Sequence, residues 1–258
     1  MSFFRRKLIS AIGERPIIDQ LPATANLVAF WDAADSSSWS GSGTWDNLVT
    51  SPADGAAQSA YDLQLVSTPT FTGTVGGLSS SEYWGLSDST GFELSTNTTF
   101  TAEMHQSDSE WTMAWIVDVD TDSSWTLAST LTAGSTANRG FSCGSGFAQI
   151  INAGGFPLQS WTPGTGFHRF TWSLDADVNP VFEYSIDGTL TTPSLAPGGT
   201  DTSSAADAPL VIANFYLRGS YSSGIASGKL YAVVLWNKRL SSAEVTTFND
   251  AFSGRFGY

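Results

Sequence analysis

The segment Trp111-Thr-Met-Ala-Trp-Ile-Val-Asp-Val119 puts Trp111, Met113, Trp115, Val117 and Val119 on one side of an extended chain, with Ile116 apolar on the other. A period of two with apolar residues on both faces is what a central strand of a sheet requires; a helix, with its period of 3.6, cannot satisfy it. Short apolar runs of the same kind recur between turn residues along the whole body. They are Leu27 to Asp32, Leu63 to Val66, Tyr83 to Leu86, Phe92 to Leu94, Trp125 to Thr130, Gly140 to Cys143, Ala148 to Asn152, His168 to Leu174, Val181 to Ile186, Leu210 to Phe215 and Gly228 to Trp236. Asp187-Gly188, between Tyr184-Ser-Ile and Thr189-Leu, is a hairpin-turn dipeptide. This spacing, in a chain with 25 Gly, predicts an all-β antiparallel sandwich with little helix. One helix is expected late: Ser241-Ser-Ala-Glu244 is a capping box, after which Val245, Phe248 and Phe252 share a face that ends near Gly254.

A length of 258 residues suits one large sandwich, and 16 Phe, 10 Trp and 7 Tyr supply a sizeable core. The single cysteine, Cys143, excludes an internal disulfide, and with only His105 and His168 there is no Cys/His zinc spacing. The net charge of -13 argues against nucleic acid as a partner. Charge is uneven, however. Arg5, Arg6, Lys7 and Arg15 against Glu14 give the first fifteen residues +3 and leave -16 for the rest. Residues 1–22 therefore read as a basic arm and 23–258 as the sandwich. Within the arm Phe4, Leu8, Ala11 and Ile12 fit a short amphipathic helix, and a mobile tail that orders on contact fits equally. The segment Leu8 to Gly13 is too short for a secretory signal, and no stretch approaches a membrane span, so cytoplasmic synthesis without export is expected.

The order of pieces resembles the laminin-G-like, or concanavalin A-like lectin/glucanase, superfamily. Leu27-Val-Ala-Phe-Trp-Asp32 with Gly43-Thr-Trp-Asp-Asn-Leu48 is similar to its opening strand and first loop. Trp111-Thr-Met-Ala-Trp115 is similar to its central aromatic strand, and Phe167-His-Arg-Phe-Thr-Trp172 to its aromatic-histidine segment. Gly228-Lys-Leu-Tyr-Ala-Val-Val-Leu-Trp-Asn-Lys-Arg-Leu-Ser-Ser-Ala-Glu-Val245 is similar to its closing strand and short helix. The resemblance implies two stacked antiparallel sheets in jelly-roll order. It also covers lectins, adhesive modules, polysaccharide hydrolases and surface modules of phage virions. A basic arm ahead of such a body, with no export signal, implies a non-catalytic virion surface protein, made in the host cytoplasm. On that reading Phe4, Arg5, Arg6, Lys7, Leu8, Ile12 and Arg15 dock it to other virion proteins, as an oligomer in some arrangements, while the sandwich decorates the particle or meets host glycans. A free-standing carbohydrate-binding module and a polysaccharide hydrolase are the alternatives.

Hydrolases of that superfamily carry paired carboxylates at alternate positions of one strand, and no Glu-x-Asp-x-x-Glu run occurs here; Glu103 to Glu110 reads as solvated charge. No cofactor is implied beyond calcium, for which Asp118, Asp120 and Asp122 offer hard oxygen ligands at alternate positions. An acidic hairpin tip accounts for the same three residues. His168 beside Arg169 has no nucleophile or orienting carboxylate at a defined spacing, and Cys143 has no activating cation nearby. Trp39, Trp45, Trp84, Trp125, Trp161 and Tyr221 lie near Ser/Gly/Thr-rich loops, where they could stack on sugar rings, meet another subunit or fill the core.

Overall fold

In the computed structural model residues 16–257 are described, except 88, 107–108, 121–125, 131, 134–138, 145–146, 153–163, 176–180, 192–204, 214, 218–219 and 223–226. The strands are β1 (Leu27–Asp32), β2 (Leu63–Val66), β3 (Thr70–Thr72), β4 (Tyr83–Ser87), β5 (Gly91–Leu94), β6 (Trp111–Val119), β7 (Thr126–Ser129), β8 (Thr132–Ala133), β9 (Arg139–Gly144) and β10 (Phe147–Asn152). They continue with β11 (Gly166–Asp175), β12 (Val181–Ile186), β13 (Thr189–Thr191), β14 (Val211–Ile212), β15 (Phe215–Leu217), β16 (Ser220–Ser222) and β17 (Ser227–Trp236). The helices are α1 (Thr99–Glu103), α2 (Ser242–Ala251) and α3 (Ser253–Phe256).

β6 runs through the middle of an eight-stranded antiparallel sheet ordered β13-β12-β11-β6-β17-β4-β3, with β1 also on β17. A second, six-stranded antiparallel sheet, β10-β9-β7-β14-β5-β2, stacks on it, and β16-β15-β8 form a small third sheet that the sequence does not announce. The expected all-β sandwich of two antiparallel sheets with a C-terminal helix is what forms. One face of β6 (Trp111, Met113, Trp115, Val117, Val119) joins the core between the sheets, where Trp31, Phe92, Phe141, Phe170 and Trp172 are fully buried.

The other face of β6, through Ala114 and Ile116, lies beneath α2. There Val245, Phe248, Ala251 and Phe252 pack on Phe30, Ala232, Val234 and Trp236. A register shift in β17 between Leu230 and Ala232 makes Tyr231 an extra residue, so Leu230 and Val233 face the inner core while Tyr231 and Ala232 both face outward. The capping box forms as expected: Ser241 Oγ accepts from the Glu244 amide and Glu244 Oε2 accepts from the Ser241 amide at 2.8 Å. At the far end of the helical segment Arg255 makes a two-pronged ion pair with Asp32 of β1 (2.8 and 2.7 Å), and both side chains are at most 5% exposed.

Two expectations shift. Leu210 to Phe215 is not one strand: Ala213 adopts φ +61, a left-handed conformation that ends β14 after two residues, and β15 starts in another sheet. Residues 16–22, read as part of the arm, lie on the body. Ile17 and Ile18 pack against the α2 cluster, Leu21 is buried, and the Pro22 carbonyl accepts from Trp236 Nε1 at 2.9 Å. Phe4, Arg5, Arg6, Lys7, Leu8, Ile12 and Arg15 lie outside the described residues.

Candidate functional site

The loop that follows β1 returns to the sheet at a single bridge, in which Trp45 and Leu63 exchange backbone hydrogen bonds of 2.9 and 3.0 Å. Both side chains of the bridge are fully buried, Trp45 against Phe92 (4.7 Å between ring centroids) and Trp84. In an antiparallel pair the next residue of one chain faces the previous residue of the other, and side chains alternate between faces. Asp46 and Asp62 flank this bridge, one on each chain. They line a cleft of about 340 Å³ together with Ser37, Gln58 and Ser59.

The backbone around the cleft is fixed by side chains that leave little freedom. Buried Asn47 accepts from the amides of Phe30 and Val49 (3.0 Å each) and donates to the carbonyls of Val28 and Val49, which ties the loop to β1. Ser38 Oγ donates to the Asp46 carbonyl at 2.7 Å, and the Asp46 amide donates to the Ser38 carbonyl at 2.7 Å. Gln58 Nε2 donates to the Asn47 carbonyl at 2.6 Å, and the Asn47 amide donates to Asp62 Oδ1 at 3.0 Å. The Thr44 hydroxyl donates to Asp46 Oδ1. Partial burial pushes the Asp62 carboxyl above the ordinary carboxylate range; the Asn47 amide opposes this and the neighbouring Asp46 charge reinforces it.

Of the cleft residues only Asp46 lies in a segment the sequence singles out, Gly43-Thr-Trp-Asp-Asn-Leu48, and none was expected as a site residue. Asp46 and Asp62 are far apart along the chain, and only the Trp45–Leu63 pairing brings them together. The two carboxylates come from separate segments, Asp46 from the loop after β1 and Asp62 from the turn before β2.

The aromatic candidates divide. Trp39, Trp45 and Trp84 are at most 6% exposed and stack on one another and on Phe71 (Trp39–Trp84 at 4.6 Å, Trp84–Phe71 at 5.5 Å). With no face open to solvent they serve as core beneath the cleft loop, not as a sugar shelf. Trp125 and Trp161 lie outside the described residues, as does the side chain of Tyr221 on β16. Of the calcium candidates, Asp118 Oδ2 accepts from Lys229 Nζ at 2.7 Å and Asp120 Oδ2 from Ser227 Oγ at 2.8 Å, contacts that tie the end of β6 to β17; Asp122 lies outside the described residues. Among the described residues no three His, Cys, Asp or Glu are grouped to hold a metal ion.

His168 does have an orienting carboxylate, contrary to expectation. The Asp187-Gly188 turn carries Asp187 to His168 Nδ1 (3.0 Å) and to the Arg169 amide (3.0 Å). Burial pushes Asp187 up, but the His168 and Arg169 hydrogen bonds prevail and hold it below its usual value. Cys143 is buried and its thiol is pushed upward by desolvation, so it is an inert core residue. No helix among the described residues is long and apolar enough to cross a membrane.

No protein-family model matches the chain, and no curated protein matches it in sequence. Solved structures do share its fold. A mutant of Trypanosoma rangeli sialidase displaying trans-sialidase activity superposes with a TM-score of 0.53 at 12% identity, over 99% of this chain and 39% of the sialidase. The Trypanosoma rangeli sialidase in complex with sialic acid gives 0.53 at 12% identity, over 95% of this chain and 38% of that one. Domain 4 of AbnA, a GH43 extracellular arabinanase from Geobacillus stearothermophilus in complex with arabinotriose, gives 0.49 at 13% identity over 87% of this chain and 98% of the domain. The chain thus spans about two fifths of the sialidases it superposes on. At this identity the superpositions show a shared β fold. That finding corrects two expectations, the virion decoration role and the exclusion of enzyme function, because sialidases are among the solved structures that share the fold and the carbohydrate alternatives fit them better.

Proposed function

We propose that this chain is a carbohydrate-recognising sandwich of the concanavalin A-like kind, and that the cleft between the β1–β2 loop and the turn before β2 receives the sugar. The observation that carries this reading is the cleft itself: two carboxylates, an amide and two hydroxyls converge on one solvent-open site held by a rigid bridge. Sugar hydroxyls both donate and accept, and carboxylate, amide and hydroxyl side chains answer both roles. The fold shared with sialidases supports the same ligand class.

Screening the purified chain on a glycan array tests this. Binding is expected, weakened about tenfold by Gln58→Ala and by Ser59→Ala, the worth of one hydrogen bond. Absence of any bound glycan, or binding indifferent to both substitutions, would refute the assignment.

A further inference from the structure

Between β3 and β4 the loop at residues 73–82 carries the two large apolar side chains that stand exposed among the described residues, Val75 (40%) and Leu78 (58%). Leu78 adopts φ +53, a left-handed conformation that is an outlier for a bulky residue. The loop is built to hold it there. The Gly77 amide closes a turn on the Thr74 carbonyl at 2.9 Å, with Gly76 at φ +74 in the third position. Buried Glu82 braces this turn: Oε1 accepts from the Thr74 amide (3.3 Å), and Oε2 from the Ser79 amide (2.7 Å) and hydroxyl (2.6 Å). A Cβ at position 77 would collide with Glu82 Oε1, so the brace requires glycine there. Backbone strain that its surroundings enforce gathers at binding sites.

The braced tip stands on the wall of the cleft. The Leu78 amide donates to the Ala34 carbonyl at 3.3 Å, a Cβ at Gly76 would lie 3.1 Å from Ser36 Cβ, and one at Gly41 would lie 3.6 Å from Val75 Cγ2. Ser36 belongs to a turn in which the Ser38 and Trp39 amides donate to the Asp35 carbonyl (3.0 and 2.8 Å), and its neighbour Ser37 lines the cleft. Successive Cα atoms are about 3.8 Å apart, so a single turn of chain separates the cleft from the two exposed apolar side chains. Neither residues 36–45 nor residues 63–81 contain Asp, Glu, Lys or Arg, which leaves this rim uncharged in a chain of net charge -13.

We infer that Val75 and Leu78 form an apolar rim of the cleft, and that the glycan received there carries an apolar substituent, an alkyl, acyl or aryl group. This rests on the cleft being the sugar site. With the sugar hydroxyls on the polar lining, the substituent crosses the Ser36–Ser37 turn and lies on Val75 and Leu78, which takes apolar surface of both partners out of water. The Glu82 brace sets the tip in place before binding, so little loop ordering opposes the gain. A wholly polar glycan leaves both side chains in water. The rim therefore discriminates by the substituent, by roughly fourfold in affinity for each methylene covered.

The test uses the full chain and titration calorimetry with methyl and n-hexyl glycosides of glucose, galactose, mannose and N-acetylglucosamine, and with the same methyl glycosides bearing one O-hexanoyl ester. The hexyl or hexanoyl form of at least one sugar should bind about tenfold tighter than its methyl glycoside, the gain from two covered methylenes. The position that gains marks the substituent as an aglycone or an ester. Leu78→Asn, whose new side chain is at ease at positive φ, should erase most of the gain, leave the methyl glycoside unchanged and not lower the melting temperature. Val75→Thr, close in shape, should reduce the gain in the same way. A lowered melting temperature for Leu78→Asn overturns the inference, since the leucine then serves the fold. No gain with any of these probes while glycans are retained on the array, or a gain that persists in Leu78→Asn, overturns the rim and leaves the cleft reading in place. A gain indifferent to Gln58→Ala is contact with the tip alone and overturns the link between rim and cleft. No binding of any glycoside together with an empty array removes the cleft reading and the rim with it.

Discussion

Arg255→Met removes the guanidinium from a pair in which both side chains are at most 5% exposed. Asp32 is left with the Ala34 amide at 3.0 Å as its remaining donor among the described contacts, in a site too buried for water to replace the lost partner. Breaking a buried pair from one side costs about 3–5 kcal/mol because it strands the other charge. Against a typical stability of about 5–15 kcal/mol this is a large fraction. At about 2–4 °C per kcal/mol for a domain of this size, the melting temperature should fall by about 6–20 °C. The double variant Asp32→Asn/Arg255→Met removes both charges, and the asparagine oxygen still accepts from Ala34, so it should lose less than Arg255→Met alone. Lys238–Glu244, with side chains 30% and 26% exposed, is the control; its removal should cost under about 1 kcal/mol. Urea denaturation followed by circular dichroism gives the double-mutant cycle. A loss below about 1 kcal/mol for Arg255→Met, or strict additivity of the two substitutions, would refute the account of this pair as a clasp between β1 and the C-terminal helices.

Trp84→Ala should cost about 3–5 kcal/mol, since Trp84 is 1% exposed and contacts Trp39, Trp45, Phe71 and Phe92; chemical denaturation measures it. Glu82 is nearly fully buried, and hydrogen bonds from Ser79 (2.6 and 2.7 Å) and the Thr74 amide outweigh burial and hold its carboxyl below the usual range. A lowered carboxyl contributes stability above the ordinary carboxylate pKa that is lost as pH falls through the folded value, so Glu82→Gln should lower stability at neutral pH and flatten its decline in acid. Cys143 should resist thiol reagents in the native state and react at once in denaturant; rapid native labelling would contradict its burial.

Much of the frame was legible because period-two patterning encodes a strand's two faces. β6 and β17 show this, and the Ser241–Glu244 capping box shows it for α2, since each depends on residues near one another in sequence. The bulge at Tyr231 and the break at Ala213 were not legible, because both depend on how a strand must bend to meet partners from elsewhere. Trp39, Trp45 and Trp84 misled for a related reason: residues next to Ser/Gly-rich loops look exposed until the loop folds back over the sheet.

The sequence by itself determined an all-β sandwich closed by a capped helix, since strand period, turn dipeptides and cap signals are local properties that survive without knowing the partners. Tertiary structure alone decided the site. Asp46 and Asp62 line one cleft because a one-residue bridge pins Trp45 to Leu63, and Asp187 reaches His168 only because a hairpin turn folds back on β11. Chemistry between residues distant in sequence is set by register, and register is fixed only when the sheets pack.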